Sequence, residues 1–219
     1  MAHTKKSKMP KSWPVPRKTK TKKFIAVPSH SKNKAINLLF ILRDVLKLAQ
    51  TRREVKRILH QGDIKVNNKT RKAEEFPVQI FDTISLEKTN KYYRLEIVNR
   101  KFLLKEIKKE ESQTKIAKII GKKILSKNKT QLNLEDGTNV LYEKEFSLGD
   151  SALLNTEKNK VEKVLPLKEK SKVEIISGKH AGEKGELLEI VALSRGKSYK
   201  IKLEDKEVSL PAKTVLVIG

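Results

Sequence analysis

The sequence predicts an α+β protein assembled from several small modules behind a basic N-terminal segment. Three observations carry this. Residues 51–62 read as a short helix, capped at both ends, with one apolar and one cationic face, and a strand and a turn follow it. Residues 106–167 read as a succession of short strands separated by turn signals. After Lys172, alternating strands enclose a glycine-bearing loop. The chain has 219 residues, of which 37% are hydrophobic and 5% aromatic. Modules of about 50–70 residues fit that composition better than one large core.

The charge balance narrows the partners. There are 50 Lys and Arg against 26 Asp and Glu, a formal charge of +24. Such a field attracts polyanions, and nucleic acid is the commonest of them. There is no cysteine, so disulfides, thiolate metal sites and a cysteine nucleophile are excluded. No apolar run has the length to span a membrane, and the N-terminus lacks the apolar centre of a secretory signal. A soluble, intracellular protein with no membrane partner is expected.

Residues 1–37 form the basic segment. No acidic residue occurs before Asp44, and Pro10, Pro14, Pro16 and Pro28 rule out one long helix. Its small apolar content predicts disorder in the free protein. Threaded along RNA, Lys5, Lys6, Lys8, Lys11, Arg17, Lys18, Lys20, Lys22 and Lys23 would meet phosphates. Trp13 would stack or anchor, as would Phe24 and Ile25 at separate points. The plainer alternative is a solubilising tail or a localisation signal.

Residues 38–105 form the next module. Leu38, Leu42, Val45 and Ala49 make an apolar stripe that predicts a helix from about Ala35 to Leu48, with Arg43 and Lys47 on another face. A short Ala49-Gln50 link then leads into the helix of residues 51–62. There Thr51 and Glu54 have the spacing of a capping box, and Gly62 supplies the left-handed stop. Val55, Ile58 and Leu59 fall on one stripe. Arg53, Lys56, Arg57 and His60 project to the opposite side, and Arg52 lies near the edge. Ile64-Lys65-Val66 alternates as a strand, and Asn67-Asn68 supplies a tight hairpin turn, with Lys69 and Arg71 beyond it. Phe76-Pro77-Val78 and residues 82–86 read as loop and strand, and Tyr93 to Leu104 as an extended run.

Residues 106–168 carry strands at Ile116–Ile120, Gln131–Leu134, Asn139–Tyr142 and Ser151–Leu154. Asn128-Lys129, Asp136-Gly137 and Gly149-Asp150 mark the turns. Beside glycine, Asp136 and Asp150 are expected to bond turn backbone rather than act in catalysis. Residues 169–219 begin with an alternating strand at Val173–Ile176. A loop containing Gly178, Lys179, His180 and Gly182 follows, and Gly185 opens the next strand. Residues 199–203, 204–206 and 215–218 supply the rest. A phosphate-binding glycine loop is discounted, because no Gly-Lys-Ser/Thr sequence opening a helix follows.

Taken together, these motifs resemble a known family. The helix of residues 51–62, its strand and its asparagine turn are similar to the S-four RNA-binding domain. Leu42-Arg43-Asp44-Val45-Leu46-Lys47-Leu48-Ala49, Phe76-Pro77-Val78 followed by Asp82, Gln131 to Asn139 and Leu148-Gly149-Asp150 resemble the archaeal and eukaryotic small-subunit ribosomal protein S-four-e family. Residues 172–187 are similar to the KOW motif, which implies a small five-stranded SH3-like barrel. The resemblance implies a ribosomal constituent whose partners are small-subunit ribosomal RNA and neighbouring ribosomal proteins. It also implies that the helix face with Arg52, the nearby Arg43, Lys47, Lys65, Lys69 and Arg71, the basic segment and the Lys179–His180 loop contact RNA. The same resemblance implies that the protein is cytoplasmic, and that it has no cofactor and no small-molecule substrate. Two departures stand out: Pro28-Ser29-His30-Ser31-Lys32-Asn33 replaces the family's Pro-Ser-Pro-Gly-Pro-His, and the hairpin turn is Asn67-Asn68 rather than Asp-Gly.

An RNA-modifying enzyme is the rival class, because S-four modules are appended to pseudouridine synthases and methyltransferases. Neither a synthase nucleophile motif nor a glycine-rich methyltransferase loop is present. His3, His30, His60 and His180 are too scattered to suggest a metal cluster or a triad. A free RNA-binding regulator, or a transcription-elongation factor using the C-terminal module, is the other alternative.

Overall fold

Short antiparallel sheets, rather than helices, make up most of the chain. The computed structural model describes residues 2–18, 23–126, 129–193, 196–204 and 206–219. The chain divides into two compact units, Met1–Ile97 with Lys101–Gln113, and Val98–Arg100 with Thr114–Gly219. Among the described residues, no helix is long and apolar enough to cross a membrane.

The first unit is built around the helix Arg52–Gln61. Its capping box closes: the Glu54 amide donates to Thr51 Oγ1 at 3.3 Å, and Glu54 Oε2 accepts from the amides of Thr51 and Gln50. These bonds hold the Glu54 carboxyl below the usual carboxylate range. Gly62 ends the helix at φ 86°. Val55 and Leu59 are fully buried, which anchors the apolar stripe.

The preceding helix is shorter than its apolar pattern predicts. Ala35–Asn37 is a strand paired with Pro77–Gln79, and the helix occupies only Leu38–Phe40, continuing as a π-helical stretch over Ile41–Val45. Asn37 marks the true start, because its Oδ1 accepts the Phe40 amide at 3.0 Å. Every residue from Ala35 to Leu42 is buried. A continuously buried run does not reveal by its period where strand becomes helix.

Beyond the capped helix lies a five-stranded sheet in the order Lys69–Thr70, Ile64–Val66, Thr83–Leu86, Lys91–Val98, Lys101–Ile107. Asn67 and Asn68 take the left-handed conformation of a hairpin turn, at φ 51° and 60°. Asn67 also clamps the next strand: its Nδ2 donates to Asp82 Oδ1 at 2.8 Å, and its Oδ1 accepts the Thr83 amide at 3.0 Å.

The N-terminal segment is not an open arm. His3–Lys5 pairs antiparallel with Phe24–Ala26, and the Ser12 carbonyl accepts the Phe102 amide at 2.8 Å. Met9, Trp13 and Ile25 are buried, Trp13 to 1% exposure. The Trp13 indole nitrogen donates to the Ala35 carbonyl at 3.1 Å. Trp13 therefore cannot stack on a base, because its ring is inside its own unit. The three large apolar side chains supply burial that offsets the ordering entropy, which a count of charges and prolines undervalues.

In the second unit, one sheet runs in the order Asn139–Tyr142, Lys129–Leu134, Thr114–Ser126, Ser151–Asn155, Lys160–Leu165. Its core contains Ile119, Leu132, Leu134, Val140 and Leu154. Thr114–Ser126 is longer than the strand expected at Ile116–Ile120 because irregularities after Ile119 and Ile124 interrupt its alternation without ending its pairing. Lys160–Leu165 is a further strand, hidden in the sequence by its Lys and Glu. Of the expected Asn128-Lys129 turn, Asn128 lies outside the described residues, and Lys129 already belongs to a strand.

The two turn aspartates act on backbone. Asp150 accepts the amides of Ser147 and Leu167 at 2.8 and 2.9 Å. Asp136 Oδ1 accepts the Thr138 amide and hydroxyl, and its Oδ2 meets Lys115 Nζ at 2.6 Å in a buried pair. Burial pushes the Asp136 carboxyl up, but Lys115 and Thr138 outweigh it and hold the group below its ordinary range. A depressed carboxylate stabilises the fold above its unfolded pKa, near 3.9, and loses that contribution as pH falls through the lower folded value. The thermal stability advantage of the parent over Asp136→Asn should therefore be full at neutral pH and shrink below about pH 4. A pH-independent advantage in melting experiments would show that the pair contributes only through packing.

The second sheet of this unit has the order Glu207–Pro211, Gly196–Lys202, Lys184–Leu193, Lys172–Ile175, Val215–Val217. Val173, Ile175, Leu187, Tyr199, Ile201 and Val217 fill its core. A Cβ on Gly185 would collide with the Lys202 carbonyl and come within 2.9 Å of Ile201 Cγ2, so this glycine serves strand packing. Gly178 and Gly182, at φ 99° and 93°, shape the loop before it. L side chains strain at those angles, so the backbone conformation alone accounts for glycine at both positions. Lys118 Nζ donates to the Val215 carbonyl at 2.7 Å, and Ser151 Oγ accepts the Val217 amide at 3.0 Å, joining the two sheets.

Candidate nucleic-acid interface

The capped helix presents the expected cationic face. Arg53, Lys56, Arg57 and His60 are all exposed. Arg53, Arg57 and His60 have no hydrogen bond or ion pair to another described residue. Lys56 only draws on Glu74 through distant charge attraction. With Val55 and Leu59 locked in the core and both helix ends capped, these side chains project from a fixed backbone. Their cations need surrender no partner before meeting a phosphate.

Arg52 is different. It forms a two-pronged pair with Glu74, with Nε 2.9 Å from both carboxylate oxygens and Nη2 on Oε1. That hydrogen bonding lowers the Glu74 pKa and raises that of Arg52. Arg52 thus braces the helix against the segment before Phe76, with its Nε and one Nη donor engaged there.

The remaining sequence-predicted positions are dispersed. Arg43 pairs with its neighbour Asp44 at 2.6 Å, and Lys47 is exposed in a left-handed conformation after the π-helical stretch. Lys65 pairs with Glu87, whereas Lys69 is exposed. Arg71 is half-buried with its guanidinium carbon 4.3 Å from the centre of the Phe76 ring, and its Nε has no partner. Lys5, Lys8, Lys11, Arg17, Lys18 and Lys23 are exposed and Lys6 half-buried, on a folded segment rather than a free one. Arg17 donates to the Met9 carbonyl. Lys20 and Lys22 lie outside the described residues.

In the second unit, Lys179 is exposed and His180 Nδ1 lies 3.1 Å from both Glu183 carboxylate oxygens. These residues line a cleft of about 320 Å³ together with Asn99, Arg100 and Lys206. Sequence reasoning missed Arg100 and Lys206, which are distant from the loop in the chain. The expected extended run from Tyr93 to Leu104 is instead two strands, Lys91–Val98 and Lys101–Ile107, with Asn99 and Arg100 left-handed between them, and Asn99 was the only local signal of that turn. Among the described residues, no cluster of His, Asp and Glu could hold a metal ion.

Comparison with known proteins agrees with this arrangement. The sequence model of the S4 domain matches residues 41–84, which contain the capped helix and the asparagine turn. That of ribosomal family S4e matches residues 89–161. The small ribosomal subunit protein eS4 of Methanosphaera stadtmanae is 38% identical over 99% of this chain and 92% of its own length. Its counterpart in Archaeoglobus fulgidus is 35% identical over 99% of this chain and 93% of its own length. The crystal structure of the 30S ribosomal protein S4e from Thermoplasma acidophilum superposes with a TM-score of 0.73 at 27% identity, covering 86% of this chain and 96% of that one. Aligned over nearly its full length to such relatives, around an S4 domain whose cationic helix is intact, the chain belongs to the ribosomal protein S4e family.

Proposed function

We propose that the protein is a structural, non-catalytic constituent of the small ribosomal subunit that binds ribosomal RNA through the exposed face of its capped helix. The observation that carries this is the pair of cations Arg53 and Arg57, with His60 beside them, exposed on a capped helix and without a partner among the described residues. In a chain with 26 acidic residues, ion pairing could have silenced these cations as it does Arg52. Lys56 adds to the same face, and Lys69 is exposed on an edge strand of the same unit. The basic N-terminal segment adds charge as a folded strap, with Lys5, Lys8 and Lys11 outward.

By function the chain is read as an RNA-binding module at residues 38–105 and two further modules, residues 106–168 and 169–219, which fall in the second unit from Thr114 onward. Five antiparallel strands around one apolar core, with a glycine-bearing loop after the first, support reading residues 169–219 as the SH3-like barrel of the KOW type. Neighbouring small-subunit proteins are the other expected partners, and the cytoplasm the expected location. Support of subunit assembly follows from the same chemistry, because neutralised phosphates allow RNA segments to approach each other.

The test is a salt series. Affinity of the purified protein for small-subunit ribosomal RNA should fall by about 0.7–0.9 log units per log unit of salt for each phosphate neutralised. A nearly flat plot would overturn the electrostatic account.

A further inference from the structure

We propose that the cleft formed by Arg100, Lys179, His180 and Lys206 is a second RNA-binding site, which holds the phosphodiester backbone of a single-stranded RNA segment. The inference rests on the RNA-binding reading and extends it to a surface of the second unit. Val98–Arg100 belongs to this unit, as do the residues of the opposite wall.

Convergence of charge is the first argument. Three permanent cations, Arg100, Lys179 and Lys206, line one concavity of about 320 Å³. None has a hydrogen bond or ion pair from its side chain to another described residue. The one acid in the lining, Glu183, lies against His180 instead. Three cations against the single carboxylate of Glu183 leave the lining with a net positive charge, so the mutual repulsion of the cations is relieved when an anion enters.

Backbone geometry is the second. Asn99 and Arg100 form the tip of a hairpin at φ 48° and 65°. Left-handed backbone is common for asparagine but unfavourable for arginine. The tip is nevertheless fixed, because the Arg100 amide donates to the Ala181 carbonyl at 3.0 Å. A strained residue held by a specific bond at the rim of a cleft is an observation from which function is properly inferred. Here the bond delivers the Arg100 guanidinium to the loop that carries Lys179 and His180.

The shape decides the class of ligand. A double helix presents a broad surface, whereas a cleft of this volume admits one phosphate with its sugar. A single-stranded or looped segment can place a phosphate there and splay its base aside. The Asn99 side chain adds a neutral amide at the rim for a ribose hydroxyl or base edge.

The experiment uses the full chain and two variants, Arg100→Ser/Lys179→Ser/Lys206→Ser and Arg53→Glu/Arg57→Glu, with circular dichroism and melting as folding controls. Binding to small-subunit ribosomal RNA is measured across salt. The triple variant is expected to lose at least about 10-fold in affinity, and its salt slope to fall by about 2, three cations at roughly 0.7 each. In parallel, amide shifts of Lys179, Ala181 and Arg100 are followed by NMR with an unstructured oligouridylate, a duplex RNA and inorganic phosphate. Saturable shifts with oligouridylate well below the concentrations needed for duplex or phosphate support the proposal. An unchanged slope in the triple variant, with weakened binding in the helix variant, overturns the proposal and leaves the RNA reading standing. Unchanged affinity in both variants overturns both. Equal response to inorganic phosphate and oligouridylate would reduce the cleft to a free-anion site and also overturn the proposal. Should the triple variant melt early, the single substitution Lys179→Ser, on an exposed loop side chain, decides by its slope alone.

Discussion

Replacing Arg53 and Arg57 together by Glu is expected to weaken binding to small-subunit ribosomal RNA by about 2–6 kcal/mol, taking roughly 1–3 for each directed arginine contact. Both side chains are exposed, and neither has a partner among the described residues, so no stabilising interaction is lost within the fold. The helix should be unaltered, because Val55, Leu59, the Thr51–Glu54 cap and Gly62 are untouched. Isothermal titration or filter binding reads the affinity, and circular dichroism the helix. The informative control is Arg52→Ala. Its charge is already paired with the Glu74 carboxylate, so it should cost RNA affinity less than either arginine on the outward face. Equal affinity of the double variant and the parent would mean that this face meets only solvent.

The second large effect is on stability. Trp13→Ala removes a side chain of 1% exposure and the indole bond to the Ala35 carbonyl. The expected cost is about 3–5 kcal/mol, the range for emptying a buried aromatic site. With typical stabilities of about 5–15 kcal/mol, that is a large share. Chemical denaturation measures it. Limited trypsin digestion gives a second readout, because Lys5, Lys6, Lys8 and Lys11 sit on the strap that Trp13 fastens. They should resist cleavage in the parent and become sensitive in the variant. Rapid cutting of the parent at these sites would show that the segment is open after all.

What the sequence revealed follows from how far apart the interacting residues lie. The capping box spans three positions and the helix stop is one glycine, so Thr51, Glu54 and Gly62 could be read directly. Asn67-Asn68, Asp136 and Asp150 were legible as turns from residue type alone, although the bonds from Asn67 to Thr83 and from Asp150 to Leu167 reach far along the chain and were not. The outward helix face was legible because its complement is simply the buried stripe. The N-terminal strap was not. Its fastening joins Trp13 to Ala35 and Ser12 to Phe102, and nothing in the local charge pattern signals either bond. The strand at Ala35–Asn37 was read as helix because its burial is continuous with that of Leu38 to Leu42. The diversion of Arg52 to Glu74 was likewise invisible, being a contact across 22 residues. In the second unit, the cleft joins the Asn99-Arg100 turn to the Lys179 loop through one backbone bond over a long sequence separation. Residue type marked only one of its walls.

The bond from the Phe102 amide to the Ser12 carbonyl also has a consequence for biosynthesis. A chain emerges N-terminus first, so the most basic stretch of this protein appears early, well before the strand that carries Phe102. Until then the Ser12 carbonyl lacks this partner, and the segment has only its nearer ties, the pairing of His3–Lys5 with Phe24–Ala26 and the Trp13 bond to Ala35. Closing the strap is a late, long-range step in the maturation of the first unit, and such contacts form slowly because chain entropy is lost before they contribute. The nascent protein therefore passes through an interval in which its charge is most accessible and its fold least complete. That interval is when a polyanion or a chaperone would most readily capture it.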